Sequence, residues 1–171
     1  MGEVSSLSPP ELLADGHELG EFCSGEASLD DWLKRRARAN QVSGASRTYV
    51  VCEGARVVGY YALASGAIVV ESAPGRFRRN MPNPIPAAVL ARLAVERGKQ
   101  GQGVGRALFR DAARRVAQAA DVIGIRGIVV HAISEEAREF YLALGFEPSP
   151  SEPMTLMVTL SDVRAAIGER S

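Results

Sequence analysis

The chain has 171 residues, of which 46% are apolar, and its 20 Lys and Arg balance 20 Asp and Glu. That length suits one domain with a real core, and the apolar share is ordinary for a soluble globular protein. A net charge near zero supplies no global field for nucleic acid or membrane, and no apolar run is long enough to cross a bilayer. The opening MGEVSSLSPPELLADG lacks the basic stretch and apolar core of a signal peptide. Cys23 and Cys52 lack the spacing of a zinc site or a disulfide framework. Both are expected as reduced, half-buried thiols of a cytoplasmic protein with no bound metal.

In chain order, SLSPPELL reads as a loop or short strand, since paired prolines oppose helix. GEASLDDWLKRRARANQ reads as one helix, capped by Ser28 or Asp30, with Leu29, Trp32, Leu33 and Ala37 on one face. RTYVVCE, Gly54-Ala55 and RVVGYYALASGAIVV form a hairpin with a long second strand. A Pro- and Arg-rich loop follows, then the buried strand AVLARLAV. The segment from Val104 to Ala120 predicts an amphipathic helix, with Val104, Leu108, Ala112, Val116 and Ala119 inward. GIRGIVVHAI predicts a strand. SEEAREFYLALG predicts a helix capped by Ser134, acidic in its first turn and closed by Gly145. MTLMVTL gives a last strand, and a short helix ends the chain. The alternation in the second half implies a mixed α/β sheet flanked by helices, with an antiparallel hairpin added by the first half.

The segment Gln100-Gly101-Gln102-Gly103-Val104-Gly105-Arg106 lies between a strand and a helix start. The first amides of a helix lack intrahelical partners and carry the positive end of its dipole. Glycines let such a backbone approach a ligand, which makes it a place for phosphate oxygens. It is not a P-loop, because Gly98-Lys99 is followed by Gln and has no upstream glycine at the right spacing. It is not a dinucleotide fingerprint, because Arg106 stands where the third glycine belongs.

What fits is Q-x-x-G-x-G, as Gln100, Gly103 and Gly105, and here the chain resembles the GCN5-related N-acetyltransferase (GNAT) family. The later EEAREFYLALGF resembles that family's second signature. The resemblance implies a GNAT fold in which a bulged strand precedes the pyrophosphate loop. It implies that acetyl-coenzyme A is gripped by the loop from Gln100 through Gly101, Gln102, Gly103, Val104 and Gly105 to Arg106. Main-chain groups of Leu93, Ala94 and Val95 would hold its pantetheine arm and acetyl group. FCSGEASLDDWLKRRARANQ, MPNPIPAAVLARLAVERGKQGQGVGRALFRDA and FEPSP followed by MTLMVTL bring the chain closer to the GNAT toxins of bacterial toxin–antitoxin pairs, which acetylate the amino acid on charged tRNA. This implies a ribbon-helix-helix antitoxin, a homodimer and aminoacyl-tRNA as partners.

The reaction the resemblance implies is direct attack of a neutral amine on the thioester. It needs an oriented thioester, a donor near the developing oxyanion and a proton for the leaving sulfur. Tyr141 matches the family's general acid and is protonated at neutral pH; on the residues alone, a core aromatic is the other reading. Phe140 packs, with the cofactor arm as one partner. Ser134 stands where the family often has asparagine; it is a helix cap first and a cofactor contact second. His131 is a structural residue or a general base, and a dedicated base is unnecessary because an aminoacyl ester amine is already largely neutral.

Two basic clusters stand out in a neutral chain. Lys34, Arg35, Arg36 and Arg38 follow one another on the first helix, and Arg76, Arg78 and Arg79 lie in the loop. Concentrated arginine is an RNA footprint, whereas positive residues late in a helix also serve its dipole. Arg92 faces the site or buries its stem. Beside the toxin stand two other readings: an acetyltransferase for a small amine or a protein amine, and a non-catalytic acetyl-coenzyme A-binding regulator.

Overall fold

A computed structural model describes residues 7–168. Its strands are β1 (Glu11–Leu12), β2 (Arg47–Glu53), β3 (Arg56–Ile68), β4 (Ile85–Val95), β5 (Gly127–His131), β6 (Glu147–Pro148) and β7 (Thr155–Thr159). Its helices are α1 (Ala27–Arg35), α2 (Ala37–Ser43), α3 (Gly75–Arg78), α4 (Val104–Ala119), α5 (Glu135–Ala143) and α6 (Leu160–Ala166). The seven strands form one mixed sheet in the order β1-β2-β3-β4-β5-β7-β6. β2 and β3 pair antiparallel with a register shift between Val51 and Cys52. β4 and β5 run parallel, with Ala88 opposite Ile128 and Val89 opposite Val129. β7 pairs antiparallel with both β5 and β6.

By contacts the described residues form two compact units, 7–64 with 92–111 and 65–91 with 112–168. The core of the first gathers Phe22, Leu29, Leu33, Val50, Val57 and Tyr60, with Trp32 packed against it. Tyr60 donates its hydroxyl to the Leu29 carbonyl at 2.7 Å, so its burial leaves no unpaired phenol. Helix α4 approaches β3 closely: a Cβ at Gly59 would meet Val51 at 2.9 Å and Leu108 at 3.3 Å. The core of the second unit gathers Ala73, Phe77, Ile85, Ala87, Val129 and Met157. Gly127 is enclosed there. A Cβ would lie 2.0 Å from the Val158 carbonyl oxygen and 2.9 Å from the Phe77 ring, distances no side chain can occupy.

Several sequence expectations are corrected. The single first helix is two, α1 and α2, broken at Arg36, whose φ of −122° and ψ of −27° leave the helical region. Neither Ser28 nor Asp30 caps it: the cap position is Glu26, without a side-chain hydrogen bond. The Asp30 carboxylate is buried and accepts instead from the Ser24 amide at 3.0 Å and the Ser24 hydroxyl at 2.7 Å. On α4 the inward face is Val104, Leu108, Phe109, Ala112, Ala113, Val116 and Ala117, while Ala119 is exposed. The cysteines are not half-buried: Cys23 is exposed and Cys52 buried. The Pro- and Arg-rich loop contains α3, and β6 was not foreseen. Ser134 does cap α5, accepting from the Ala137 amide at 3.1 Å, with Glu135 and Glu136 in the first turn.

Candidate active site

The glycine segment leaves β4 through a 3₁₀ turn at Arg97–Lys99 and enters α4 at Val104. Gly101 has φ 79° and Gly103 φ 86°, a region costly to residues with a Cβ. The space beyond both is open to 4 Å. The glycines therefore answer to chain direction, and the face they leave is uncluttered. The first bond of the helix runs from the Ala107 amide to the Gly103 carbonyl at 3.0 Å. The amides of Val104, Gly105 and Arg106 precede it, at the positive end of a 16-residue helix. Gly101, Gln102, Gly103 and Arg106 are exposed, whereas the Val104 side chain is buried and leaves only its main chain for a ligand.

Gln100 holds this loop in place. Its side-chain amide donates to the Ser24 carbonyl at 2.8 Å and to the Val95 carbonyl at 2.9 Å. With both hydrogens engaged, the side chain ties the loop to the end of β4 and to the entry of α1. Below it, Lys99 pairs with Glu53, Glu53 with Arg56 at 2.7 Å, and Arg56 with Glu96. Lys99 and Arg56 beside Glu53 hold its carboxyl below the usual range. On β4, Leu93 is half-buried while Ala94 and Val95 are both buried, a break in the alternation of a flat strand.

Tyr141 lies on α5, buried, with its ring edge-on to Phe140 at 5.1 Å and Phe146 at 5.3 Å between centroids. Among the described residues no group hydrogen-bonds its hydroxyl. Burial pushes its pKa well above that of an ordinary phenol, so it carries its proton through the neutral range. Phe140 is half-buried. His131 ends β5 exposed, with Nδ1 3.0 Å from the Thr155 hydroxyl.

The basic residues divide. Lys34, Arg35, Arg36, Arg78 and Arg79 are exposed. Arg38 is engaged within the chain: its Nη2 donates to the carbonyls of Ala14 at 3.1 Å and His17 at 2.7 Å, stitching α2 to the N-terminal segment. Arg92 lies over the Trp32 ring, 5.0 Å from its centroid, and Trp32 stacks on Tyr60 at 6.0 Å. Arg76 forms a fork with Asp162, Nε to Oδ2 at 2.6 Å and Nη2 to Oδ1 at 2.7 Å. Arg126, which the sequence did not single out, donates to the carbonyls of Phe77 and Arg76, each at 2.8 Å.

The family model for the Acetyltransferase (GNAT) domain matches residues 44–148, which include the strand, the glycine loop and α5. The chain belongs to the GNAT family. It is 52% identical over 166 residues, 97% of this chain and all of the relative, to the tRNA-acetylating toxin of Mycobacterium tuberculosis. Its fold is similar to that of AtaT complexed with acetyl-methionyl-tRNAfMet, with a TM-score of 0.86, 29% identity and coverage of 93% of this chain and 98% of that one. It is similar also to an AtaT mutant toxin bound to the C-terminus of the antitoxin AtaR and acetyl-CoA, with a TM-score of 0.80, 28% identity and coverage of 94% and 97%. The mixed sheet flanked by helices is the GNAT fold, and the activity class is that of an N-acetyltransferase.

One cluster in this GNAT chain escaped the sequence reading. Donor atoms of Glu11, His17 and Cys52 lie within 4.8 Å of one another. Three donors at that spacing suggest a metal, but the imidazole is already committed. Its Nδ1 accepts from the Ala14 amide at 2.9 Å, which leaves the ring proton on Nε2, pointing at Glu11 at 2.8 Å. Metal-bound histidines show the reverse pattern, with the second nitrogen donating. Burial and the Glu11 charge push the Cys52 thiol up to about 11. No sequence signal joins residues 41 positions apart; pairing of Glu11 with Val50 across β1 and β2 does so.

Proposed function

We propose that this chain is a toxin that moves the acetyl group of acetyl-CoA onto the α-amino group of an aminoacyl-tRNA, blocking translation. The observation that carries the reading is the 52% identity, over 97% of the chain, to a tRNA-acetylating toxin. The loop fits the coenzyme: open space lies beyond two left-handed glycines at the start of a long helix. Amides from Gly101 to Arg106 hold the pyrophosphate, Gln100 acts as their strut, and main-chain groups of Leu93, Ala94 and Val95 hold the arm. The coenzyme supplies an acyl group activated as a thioester. Tyr141 hands its hydroxyl proton to the departing sulfur. Burial keeps that proton on Tyr141 until the thiolate leaves. Ser134 and Phe140 border the arm, the first through its turn and the second through its ring.

Lys34, Arg35, Arg78 and Arg79 meet tRNA phosphates, and Arg92, steadied by Trp32, lies one residue from Leu93 on β4 and faces the aminoacyl end. Arg38 contributes structure in place of an RNA contact. The protein acts in the cytoplasm as a homodimer and is restrained by a ribbon-helix-helix antitoxin. No helix among the described residues is long and apolar enough to cross a membrane. The internal engagement of Arg38 and Arg76 is the one observation that favours an acetyltransferase for a small amine or protein amine. Purified protein, labelled acetyl-CoA and bulk charged tRNA decide between the two, with deacylated tRNA as control. Label on charged tRNA alone supports the toxin; its absence despite coenzyme binding refutes it.

A further inference from the structure

The second unit holds a cavity of about 620 Å³ lined by Arg76, Arg79 and Arg126, with the Ser161 residue and the apolar Met81 and Pro82. Three guanidinium groups border this one open space, and guanidinium is the side chain best shaped for phosphate oxygens. Arg126 pins the main chain of Arg76 and Phe77, which fixes the root of the Arg76 side chain. Arg76 is shared with an adjoining pocket of about 290 Å³ that Asp162 and Glu147 also line, and from that side the Asp162 carboxylate takes the Nε and Nη2 edge of Arg76, with side chains 56% and 35% exposed. Two oxygens in that plane reproduce the pair a phosphodiester presents to arginine. Asp162 is itself held at the start of α6, where its amide donates to the Thr159 hydroxyl at 3.1 Å.

We propose that this groove takes phosphodiesters of the tRNA backbone, and that Asp162 is a built-in competitor, occupying the Arg76 fork that an RNA phosphate takes over on binding. The inference rests on tRNA as substrate. It adds a residue that weakens substrate binding and sharpens it against non-cognate polyanions, because only an RNA that fills the rest of the groove displaces the carboxylate.

The test measures affinity for charged tRNA in the full chain and three variants, together with acetyl-CoA affinity and thermal unfolding. Asp162→Asn keeps the α6 amide bond and removes the competitor. It should bind tRNA about two- to fivefold tighter at about 0.1 M salt, the range an exposed ion pair commands, with the gain shrinking as salt rises. Arg76→Gln should bind more weakly by a similar factor, and acetyl-CoA affinity should not move in either. Asp121→Asn makes the same change in net charge at a residue 4.0 Å from Arg164, and should leave tRNA affinity within about twofold. Unchanged or weaker tRNA binding by folded Asp162→Asn, or an equal gain from Asp121→Asn, overturns the inference while leaving the toxin reading intact. A wild-type chain that binds no tRNA overturns both.

Discussion

The glycine loop and the arginine clusters were equally conspicuous in the sequence, and they fared differently. The loop works through its main chain. Left-handed glycines and unpaired helix amides are properties of local sequence, so the structure places them where the motif implies. Arginines work through side chains about 6 to 7 Å long, whose partners are distant in sequence. Arg38 reaches residues 21 and 24 positions away, and Arg76 one 86 positions away. A motif made of backbone is therefore readable before folding, whereas a motif made of charge is readable only once its neighbours are known.

The largest expected effect isolates chemistry from both regions. Tyr141→Phe should lower kcat by about 10²- to 10⁴-fold with little change in acetyl-CoA affinity, as for loss of a general acid; single-turnover rates and coenzyme titration check it. Next comes the loop. Gly103→Val places a branched side chain at φ 86° and should weaken acetyl-CoA by about tenfold or more, read by calorimetry. Loss of kcat alone would break the claim that this backbone binds. The arginines follow. Arg38→Ala removes two carbonyl contacts and should cost about 1–3 kcal/mol of stability, while Arg79→Ala should weaken tRNA and leave the unfolding midpoint in place. Equal behaviour of the two would erase the division between structural and exposed arginines.

The smallest effect is alkaline. The Cys52 thiol is raised to about 11 in the folded chain, against about 9 for an unburied thiol. Its contribution to stability is complete below pH 9 and is lost as pH climbs toward 11, because the unfolded chain then releases a proton the folded chain retains. Cys52→Ala should flatten the fall of the unfolding midpoint across that window. Tyr141 has the same sign and takes effect at higher pH.

Much of the fold was legible because its signals were local: the β2–β3 hairpin, α4, the Ser134 cap and the order of strands and helices in the second half. What was hidden has a shared cause. The break at Arg36 carries no Gly or Pro, so no local residue type announces it. Asp30 looked like a cap and instead reaches back to Ser24, a choice made by burial. Gln100 was read as a ligand residue from its motif, yet its amide faces two carbonyls that converge only when β4 and the α1 entry fold. The Arg126 clamp and the Glu11–His17 pair likewise join segments with no periodic relation.

Gly127 carries a genetic consequence. The proposed toxin activity predicts that a selection for cells surviving expression of this chain returns replacements at this position, where any side chain meets the Val158 carbonyl and the Phe77 ring and the polypeptide should be lost to degradation. Survivors altered at the proposed general acid Tyr141 should instead keep the protein at full abundance. An immunoblot across the survivors would thus sort the whole catalogue of escape alleles into lost molecules and silenced ones, with position 127 marking the first class.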